Sequence, residues 1–346
     1  MLPSPHSRGG RRVTAAPILA LDGVSKRFVR KLDAAEKIAN LFGARRHEQV
    51  VHAVDGIDLT IAPGEVVGLV GESGCGKSTL GRVVAGILEP SAGSVSYEGQ
   101  DVAKLTGAAR RKVDLAVQMV FQDPMASLNP RLRVIDIIGE APVVHGLVSR
   151  AEVEDYVCDV MTRVGLDPAT RRRYPHQFSG GQRARIGIAR ALAVKPKVIV
   201  CDESTAALDV SIQAQVLNLF MKLREELSLT YLFVSHDLGV VEHIADRVAV
   251  MYLGRIVELA PAEELFRAPN HPYTRALLEE VPRLEPKKKT FSALKGELPS
   301  PLSPPSGCHF HPRCPYAFDR CRTERPALKA IGPGRVSACH LNDKAA

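Results

Sequence analysis

The residues best suited to chemistry form a glycine-rich stretch, GESGCGKST, at residues 71–79. It fits the pattern G-x-x-x-x-G-K-[ST], in which the glycines let successive backbone N–H groups converge on phosphate oxygens. Lys77 would bring a positive charge to the terminal phosphates, and the Ser78 hydroxyl would bind Mg²⁺. We therefore predict a nucleotide-binding phosphate loop. Its residues are Gly71, Glu72, Ser73, Gly74, Cys75, Gly76, Lys77, Ser78 and Thr79.

Two acidic residues follow a second apolar segment, VIVCDE, at residues 198–203. A buried strand ending at Asp202 would present a hard oxygen ligand to the hydrated Mg²⁺. Glu203 would polarise the attacking water as a general base. The alternative, a solvated strand end that happens to carry two acids, loses weight because a phosphate loop lies upstream. The two segments together predict hydrolysis of a nucleotide.

A second phosphate-binding segment, FSGGQ, occupies residues 178–182 and contains no lysine. Ser179 is predicted to cap a helix, and Gly180 and Gly181 would expose the backbone N–H groups of its first turn. Such a helix terminus attracts an anion but would not hold a nucleotide alone. We therefore expect it to complete the site of another subunit. The buried face of the helix is predicted to carry Ala184, Ile188, Ala191 and Leu192.

The elements that position these motifs alternate between strands and helices. Residues 19–29 and 50–62 alternate as antiparallel strands do, and apolar runs before residues 71 and 203 predict buried strands. Residues 211–227 are predicted to form a helix whose apolar face carries Ile212, Val216, Leu219, Phe220 and Leu223. A strand is predicted at 230–236, and VAVMYLGRIVEL (248–259) is typical of a terminal hairpin turning near Gly254. This order predicts an α/β fold with a mainly parallel sheet.

The chain divides into three predicted parts. Residues 1–16 form a disordered tail, residues 17–261 form the nucleotide-binding domain, and residues 262–346 form a proline-rich, irregular C-terminal region. A polar, helical segment at about 103–175 is expected to form a subdomain, and the polar stretch between the first two strands is interpreted as a surface insertion. We find no internal repeat, which predicts one nucleotide unit per chain.

Composition disfavours several classes of protein. Within the 346 residues no apolar run reaches the roughly 18 residues of a transmembrane helix, so we expect no membrane span. The N-terminal basic residues have no apolar core behind them, which argues against a signal peptide. The net charge is +8, but the basic residues are dispersed and aromatic residues make up only 5% of the chain. We therefore expect no nucleic-acid partner.

The motifs GESGCGKST, FSGGQ and CDE, in this order, resemble those of ABC-type ATPases. In that family two nucleotide-binding domains pair head to tail, and each ATP lies between one phosphate loop and the other domain's signature sequence. The resemblance implies ATP and Mg²⁺ as cofactors, an antiparallel β-subdomain and a helical subdomain. It also implies that Gln122 contacts Mg²⁺ and the water, that His236 holds the γ-phosphate, and that Asp209 lies at the inter-subunit contact.

The resemblance further implies an aromatic residue that stacks on adenine near the first strand. Phe28 is our candidate, the alternative being an ordinary core residue. The catalytic residues implied are Lys77, Gln122, Glu203 and His236. The Mg²⁺ ligands implied are Ser78, Gln122 and Asp202. The residues that complete the partner's site are Ser179, Gly180, Gly181, Gln182 and Asp209.

Four longer segments resemble the ATPase subunits of oligopeptide and dipeptide importers: MVFQDPMASLNPR, YPHQFSGGQRARIGIARAL, LDVSIQAQVLNL and NHPYTRALL. That resemblance implies a peripheral protein at the cytoplasmic face of the membrane. Its expected partners are a second, different ATPase chain, two transmembrane permeases and an extracytoplasmic solute-binding protein. Ser204 replaces the proline usual in that group, which is expected to loosen the backbone after Glu203 and affect the rate.

Four of the seven cysteines, Cys308, Cys314, Cys321 and Cys339, lie close to the C-terminus. Their gaps are wider than those of structural zinc sites, and disulfides are disfavoured in a cytosolic protein. Four thiolates from separate loops suit a [4Fe–4S] cluster, which the importer resemblance also implies. Zinc and four unliganded thiols are the alternatives.

Two other classes of function remain open. A soluble ABC ATPase acting on ribosomes or DNA usually carries two cassettes or a long coiled coil, and this chain has neither. A metal or redox sensor with vestigial ATPase activity would not need Gln122, Glu203 and His236. Importers of nickel, glutathione or other solutes share this type of subunit, so the sequence leaves the solute open.

Overall fold

A computed structural model of the chain describes residues 16–32, 36, 40, 42, 47–206, 208–280 and 296–344. The predicted tail, apart from residue 16, lies outside the described residues, as does most of the predicted insertion between the first two strands. In the described ranges, no helix combines the length and the apolar character needed to cross a membrane.

The strands are numbered in chain order. They are β1 (Leu19–Arg30), β2 (Gln49–Ile61), β3 (Val66–Val70), β4 (Ala92–Tyr97), β5 (Gln100–Asp101), β6 (Val117–Val120), β7 (Val198–Asp202), β8 (Thr230–Val234), β9 (Arg247–Tyr252), β10 (Arg255–Pro261), β11 (Lys329–Gly332) and β12 (Arg335–Ser337).

The helices are likewise numbered along the chain. They are α1 (Lys77–Val84), α2 (Gly107–Ala116), α3 (Val134–Val144), α4 (Val153–Arg163), α5 (Gly180–Leu192), α6 (Val210–Leu227), α7 (Leu238–Ile244), α8 (Ala262–Arg267), α9 (Pro272–Glu279) and α10 (Asp319–Thr323).

The described strands form two sheets. The smaller is antiparallel, in the order β2-β1-β4-β5, which confirms the pairing predicted for the first two strands. The larger has the order β11-β12-β10-β9-β3-β8-β7-β6. Strands β6, β7, β8, β3 and β9 pair in parallel, as predicted for strands that alternate with helices.

The larger sheet is covered on both faces because its central strands are almost entirely apolar. All five residues of β3, of β7 and of β8 are buried. Successive side chains point to opposite faces, so Val66 and Val70 join one apolar cluster while Val67 and Leu69 join the other. The predicted apolar faces of α5 and α6 pack into the first cluster, although Ile212 of α6 is only partly buried. This packing fixes the loops that follow the strands.

The segment predicted to be helical at about 103–175 also contributes to the sheet. Its residues 117–120, VQMV, form β6, which pairs with β7 because a short apolar run can be buried on both faces there. Helices α3 and α4 follow and pack with α5. The boundaries predicted for the subdomain and for the three parts of the chain stay predictions.

The C-terminal region is more regular than the sequence suggests. The predicted hairpin of β9 and β10 is present, with Leu253 and Gly254 in the left-handed conformation at its turn. It does not end the sheet, because β12 pairs with β10 and β11 with β12. These two strands, of four and three residues, are too short to show a sequence pattern. The C-terminal region is therefore built into the core sheet.

Candidate functional site

The phosphate loop follows β3 and leads directly into α1. Gly71, Gly74 and Gly76 all have positive φ angles, of 151°, 81° and 106°. A Cβ atom at Gly76 would lie 2.0 Å from the carbonyl oxygen of Ala53, and one at Gly71 would lie 2.2 Å from that of Met251. The glycines are thus required both by the turn and by the close approach of neighbouring backbone. The N–H groups of the first turn of α1 are left to bind an anion.

Lys77 lies at the start of α1 with a buried side chain. Its ammonium group donates hydrogen bonds to the carbonyl oxygens of Gly71 (2.8 Å) and Glu72 (3.0 Å), across the loop. It also lies 4.0 Å from a carboxylate oxygen of Glu203. These contacts hold the ammonium group inside the loop, where the phosphates of a nucleotide would lie.

Ser78 and Asp202 meet where α1 faces the end of β7. The Ser78 hydroxyl donates a 2.7 Å hydrogen bond to the Asp202 carboxylate. Asp202 is almost fully buried, and this burial raises its pKa, although the bond from Ser78 acts in the opposite direction. A hydroxyl and a carboxylate side by side are oxygen ligands of the kind that Mg²⁺ prefers.

Glu203 contacts all three of the other predicted catalytic residues. Its carboxylate accepts a 2.9 Å hydrogen bond from the side-chain amide of Gln122 and lies 3.2 Å from Nδ1 of His236. Lys77 is the third contact. The φ angle of Glu203 is 45°, an unfavourable conformation for a residue with a side chain. Such strain is common at active sites, where the position of one group must be fixed. The structure therefore brings the four residues together.

Ser204, the departure from the importer pattern, lies next to Glu203. Its side chain is buried, and its hydroxyl oxygen has no hydrogen-bond partner in the described part of the chain. Proline would place no hydroxyl there. The expected effect of Ser204 on the rate stays a prediction.

The signature segment, residues 178–182, caps α5 as predicted. The Ser179 hydroxyl accepts from the backbone N–H of Gln182, and the Gln182 side-chain oxygen accepts from the N–H of Ser179. Gly181 packs against α6, where a Cβ atom would lie 2.5 Å from Ile212. Ser179 and Gln182 are exposed. Among the described residues no hydrogen bond or ion pair joins them to the phosphate loop, so the two phosphate-binding segments of one chain stay separate.

Asp209 and Phe28 are both exposed. Asp209 stands at the N-cap of α6 without a side-chain capping bond, and the following Val210 is 83% exposed. Phe28 lies on β1 with 42% of its side chain exposed and with the Lys26 ammonium 5.4 Å from its ring centre. Phe28 is therefore not the core residue that the alternative interpretation expected.

Sequence reasoning missed two residues that contact the phosphate loop. The Tyr273 hydroxyl accepts a hydrogen bond from the backbone N–H of Glu72, and the Arg313 guanidinium pairs with the Glu72 carboxylate. Both residues lie in the C-terminal region, 201 and 241 positions from Glu72. Tyr273 belongs to the NHPYTRALL segment, but neither that segment nor the sequence around Arg313 indicates a contact with the loop.

The four C-terminal cysteines line one small cavity, together with His311, His340 and apolar side chains. None of them forms a disulfide. Burial raises the pKa of Cys308 to about 11, and the three neighbouring thiols add to this shift. Over the described ranges no three His, Cys, Asp or Glu side chains are close enough to hold a metal ion. The predicted metal site is thus present only as a convergence of thiols.

Known protein families match both parts of the chain. Residues 54–206 match the family model described as ABC transporter, and residues 257–321 match the one described as oligopeptide/dipeptide transporter, C-terminal region. The oligopeptide transport ATP-binding protein AppF of Bacillus subtilis is 52% identical over 84% of this chain and 90% of its own length. The "Probable peptide ABC transporter ATP-binding protein y4tS" of Sinorhizobium fredii is 51% identical over 86% of this chain and 84% of its own length.

Solved structures similar to this chain also belong to ABC transporters or are ATP-binding cassettes. The ABC transporter subunit cbiO1 from Clostridium perfringens has a TM-score of 0.59 and 27% identity, covering 73% of this chain and 91% of its own. The ATP-binding cassette MJ0796, solved as a dimer bound to ADP and Pi, has a TM-score of 0.59 and 27% identity. The match covers 70% of this chain and 98% of the MJ0796 chain. The chain belongs to the family of ABC transporter ATP-binding proteins, and it is an ATPase.

Proposed function

We propose that this ATPase powers the import of peptides or similar small solutes across a membrane. The observation that carries the proposal is the match of residues 257–321 to the C-terminal region of oligopeptide and dipeptide transporters. That region is integrated into the fold, since β10 pairs with β12 and the Arg313 guanidinium reaches the phosphate loop. Two relatives of similar length that match most of this chain carry names referring to peptide transport.

In the proposed mechanism, Lys77 and the amides of the phosphate loop bind the phosphates of ATP. Ser78, Gln122 and Asp202 would hold Mg²⁺, whose charge offsets that of the phosphates as the bond breaks. Glu203 would accept a proton from the attacking water. The contacts that Gln122 and His236 make with the Glu203 carboxylate support this role, because they fix the direction of its oxygens.

Two chains would be needed to complete each site. The first turn of α5, with Ser179 and Gln182 exposed and Gly180 and Gly181 between them, would reach the γ-phosphate bound to a partner. Asp209 would lie at the contact between the two chains. The exposed Val210 beside Asp209 supports an interface there. We propose a second, different ATPase chain as the partner. Phe28 would stack on the adenine, and its exposure supports that role.

The remaining proposed partners are two permeases and a solute-binding protein, with the ATPase peripheral at the cytoplasmic face of the membrane. Coupling helices of the permeases would enter the groove between the helices α3 and α4 and the sheet. Exposed apolar side chains at Met125 and Val144 support a contact in this part of the molecule.

The test is uptake of labelled peptides by cells that lack this chain. We expect uptake of dipeptides or oligopeptides to be lost, to be restored by the intact chain, and to remain absent when the Glu203→Gln variant is supplied. Loss of nickel or glutathione uptake with unchanged peptide uptake would instead assign another solute. Salt-sensitive copurification with RNA or ribosomes, without permeases, would favour the soluble class of ABC ATPases.

We propose that Cys308, Cys314, Cys321 and Cys339 hold a [4Fe–4S] cluster. Their convergence on one cavity from separate segments supports this, because a cluster separates its thiolates more widely than a single ion does. A mononuclear zinc site would need all its sulfurs at about 2.3 Å from one centre, and the described residues contain no group of three or more ligands placed to hold a single ion. When bound, a cluster would cross-link the four segments.

Purification without oxygen, followed by iron and sulfide analysis, tests the cluster. We expect about four irons per chain, a brown colour and loss of both in the Cys314→Ser variant. The Cys158→Ser variant is the matched control, since Cys158 lies on α4 and does not line the cavity. Stoichiometric zinc without iron, or neither metal, would reject the proposal.

A further inference from the structure

An ion pair joins the C-terminal region to the phosphate loop. The Arg313 guanidinium donates two hydrogen bonds to the Glu72 carboxylate, of 2.7 and 2.9 Å, one to each oxygen. Only 5% of the Arg313 side chain and 24% of that of Glu72 are exposed. Hydrogen bonding to Glu72 raises the pKa of Arg313, so the guanidinium stays charged. The two parallel hydrogen bonds restrict both the position and the orientation of the Glu72 carboxylate relative to Arg313. A single ion pair on the surface does not do so.

Arg313 is itself held firmly on the side away from the loop. Its guanidinium lies 5.9 Å from the ring centre of Tyr252, and its neighbour Phe310 packs edge-on against the same ring at 5.3 Å. Phe310 is fully buried and also contacts Tyr273. Arg313 directly precedes Cys314, which lines the thiol cavity. The position of Arg313 is thus supported by the ring of Tyr252 and by the packing of Phe310.

Glu72 in turn supports the residues that bind phosphate. Its backbone N–H donates to the Tyr273 hydroxyl, at 2.9 Å. Its carbonyl oxygen accepts from the Lys77 ammonium at 3.0 Å and from the N–H of Cys75 at 3.3 Å. A shift of Glu72 would therefore displace the loop turn and its lysine together. An unpaired carboxylate at this position would also repel the phosphates of ATP.

We propose that Arg313 is a positioning residue of the ATP site, through which the C-terminal region sets the geometry and charge of the phosphate loop. Arg313 acts through Glu72. It is not a catalytic residue, since the groups around the reacting phosphate are Lys77, Gln122, Glu203 and His236. This role of Arg313 is independent of the solute that is carried and of what the four thiols hold.

The test compares the Arg313→Gln and Arg320→Gln variants of the full chain. Arg320 lies in the same region, beside Cys321, and pairs with Glu324 and Asp343 on the surface. We expect Arg313→Gln to raise the KM for ATP and the equilibrium dissociation constant of a fluorescent ATP analogue by about tenfold. We expect kcat to stay within about twofold, because the reacting groups are intact. Arg320→Gln should leave all three quantities unchanged.

Further variants distinguish positioning of the phosphate loop from a contact that only stabilises the fold. Arg313→Lys keeps the charge but loses the paired geometry, and it should raise KM by about threefold while folding normally. The double variant Glu72→Gln/Arg313→Gln removes the unpaired carboxylate, so its KM should not exceed that of Arg313→Gln alone. The proposal would be overturned by equal KM values for wild type and Arg313→Gln, or by equal changes in Arg320→Gln. A KM of the double variant above that of Arg313→Gln would overturn it as well.

Discussion

Replacing Glu203 with glutamine is expected to lower the rate of ATP hydrolysis by at least about 100-fold. Glutamine keeps the size of the side chain and an oxygen that can accept from Gln122, but it cannot accept the proton of the attacking water. ATP binding should persist and tighten, because one negative charge is removed 4.0 Å from the Lys77 ammonium. Phosphate release measures the first effect and equilibrium nucleotide binding measures the second.

The matched control for this variant is Glu225→Gln, at an exposed glutamate on α6 that belongs to none of the motifs. It should hydrolyse ATP at the wild-type rate. If two chains share each site, Glu203→Gln with its partner should also accumulate as an ATP-bound dimer. Undiminished hydrolysis by Glu203→Gln would reject the general-base assignment. Loss of ATP binding would show that the carboxylate supports the loop instead.

The features that sequence could predict are those encoded locally. Apolar runs of four or five residues in β3, β7 and β8 are sufficient to indicate strands buried on both faces. The glycines at positions 71, 74 and 76 could be predicted because the turn demands positive φ angles that other residues avoid. The cap formed by Ser179 and Gln182 follows from a spacing of three residues.

The features that sequence could not predict depend on contacts between distant residues. Arg313 and Glu72 are 241 positions apart, and a charged residue in an irregular region gives no indication of its partner. Strands β11 and β12 are stabilised by the open edge of β10 and not by their own composition. The contact between His236 and Glu203 can be anticipated only indirectly, because each follows a parallel strand and such strand ends meet at one edge of the sheet.

Replacing Asp202 with asparagine is expected to have opposite effects on stability and activity. Burial raises the pKa of Asp202 above its ordinary value of 3.8, so ionisation of this carboxylate at neutral pH opposes folding. Asparagine removes that charge, and its oxygen can still accept the hydrogen bond from Ser78. Without nucleotide, the melting temperature at pH 7.5 should rise by about 1–2 °C, as expected for about 1 kcal/mol in a chain of this size. Magnesium-dependent hydrolysis should fall by at least about 100-fold, because the ligand that we propose for the ion loses its negative charge.

The pH dependence distinguishes this explanation from a general change in packing. When the pKa of a carboxyl is higher in the folded than in the unfolded protein, the free energy of unfolding falls as pH rises from 3.8 through the folded pKa. The stabilisation by Asp202→Asn should therefore be small at the acid end of that window and full above it. Asp159→Asn, at an exposed position on α4, should leave the melting temperature unchanged both at the acid end of that window and at pH 7.5. A lower melting temperature for Asp202→Asn at pH 7.5 would mean that the carboxylate stabilises the fold, so the cost attributed to its burial would be wrong.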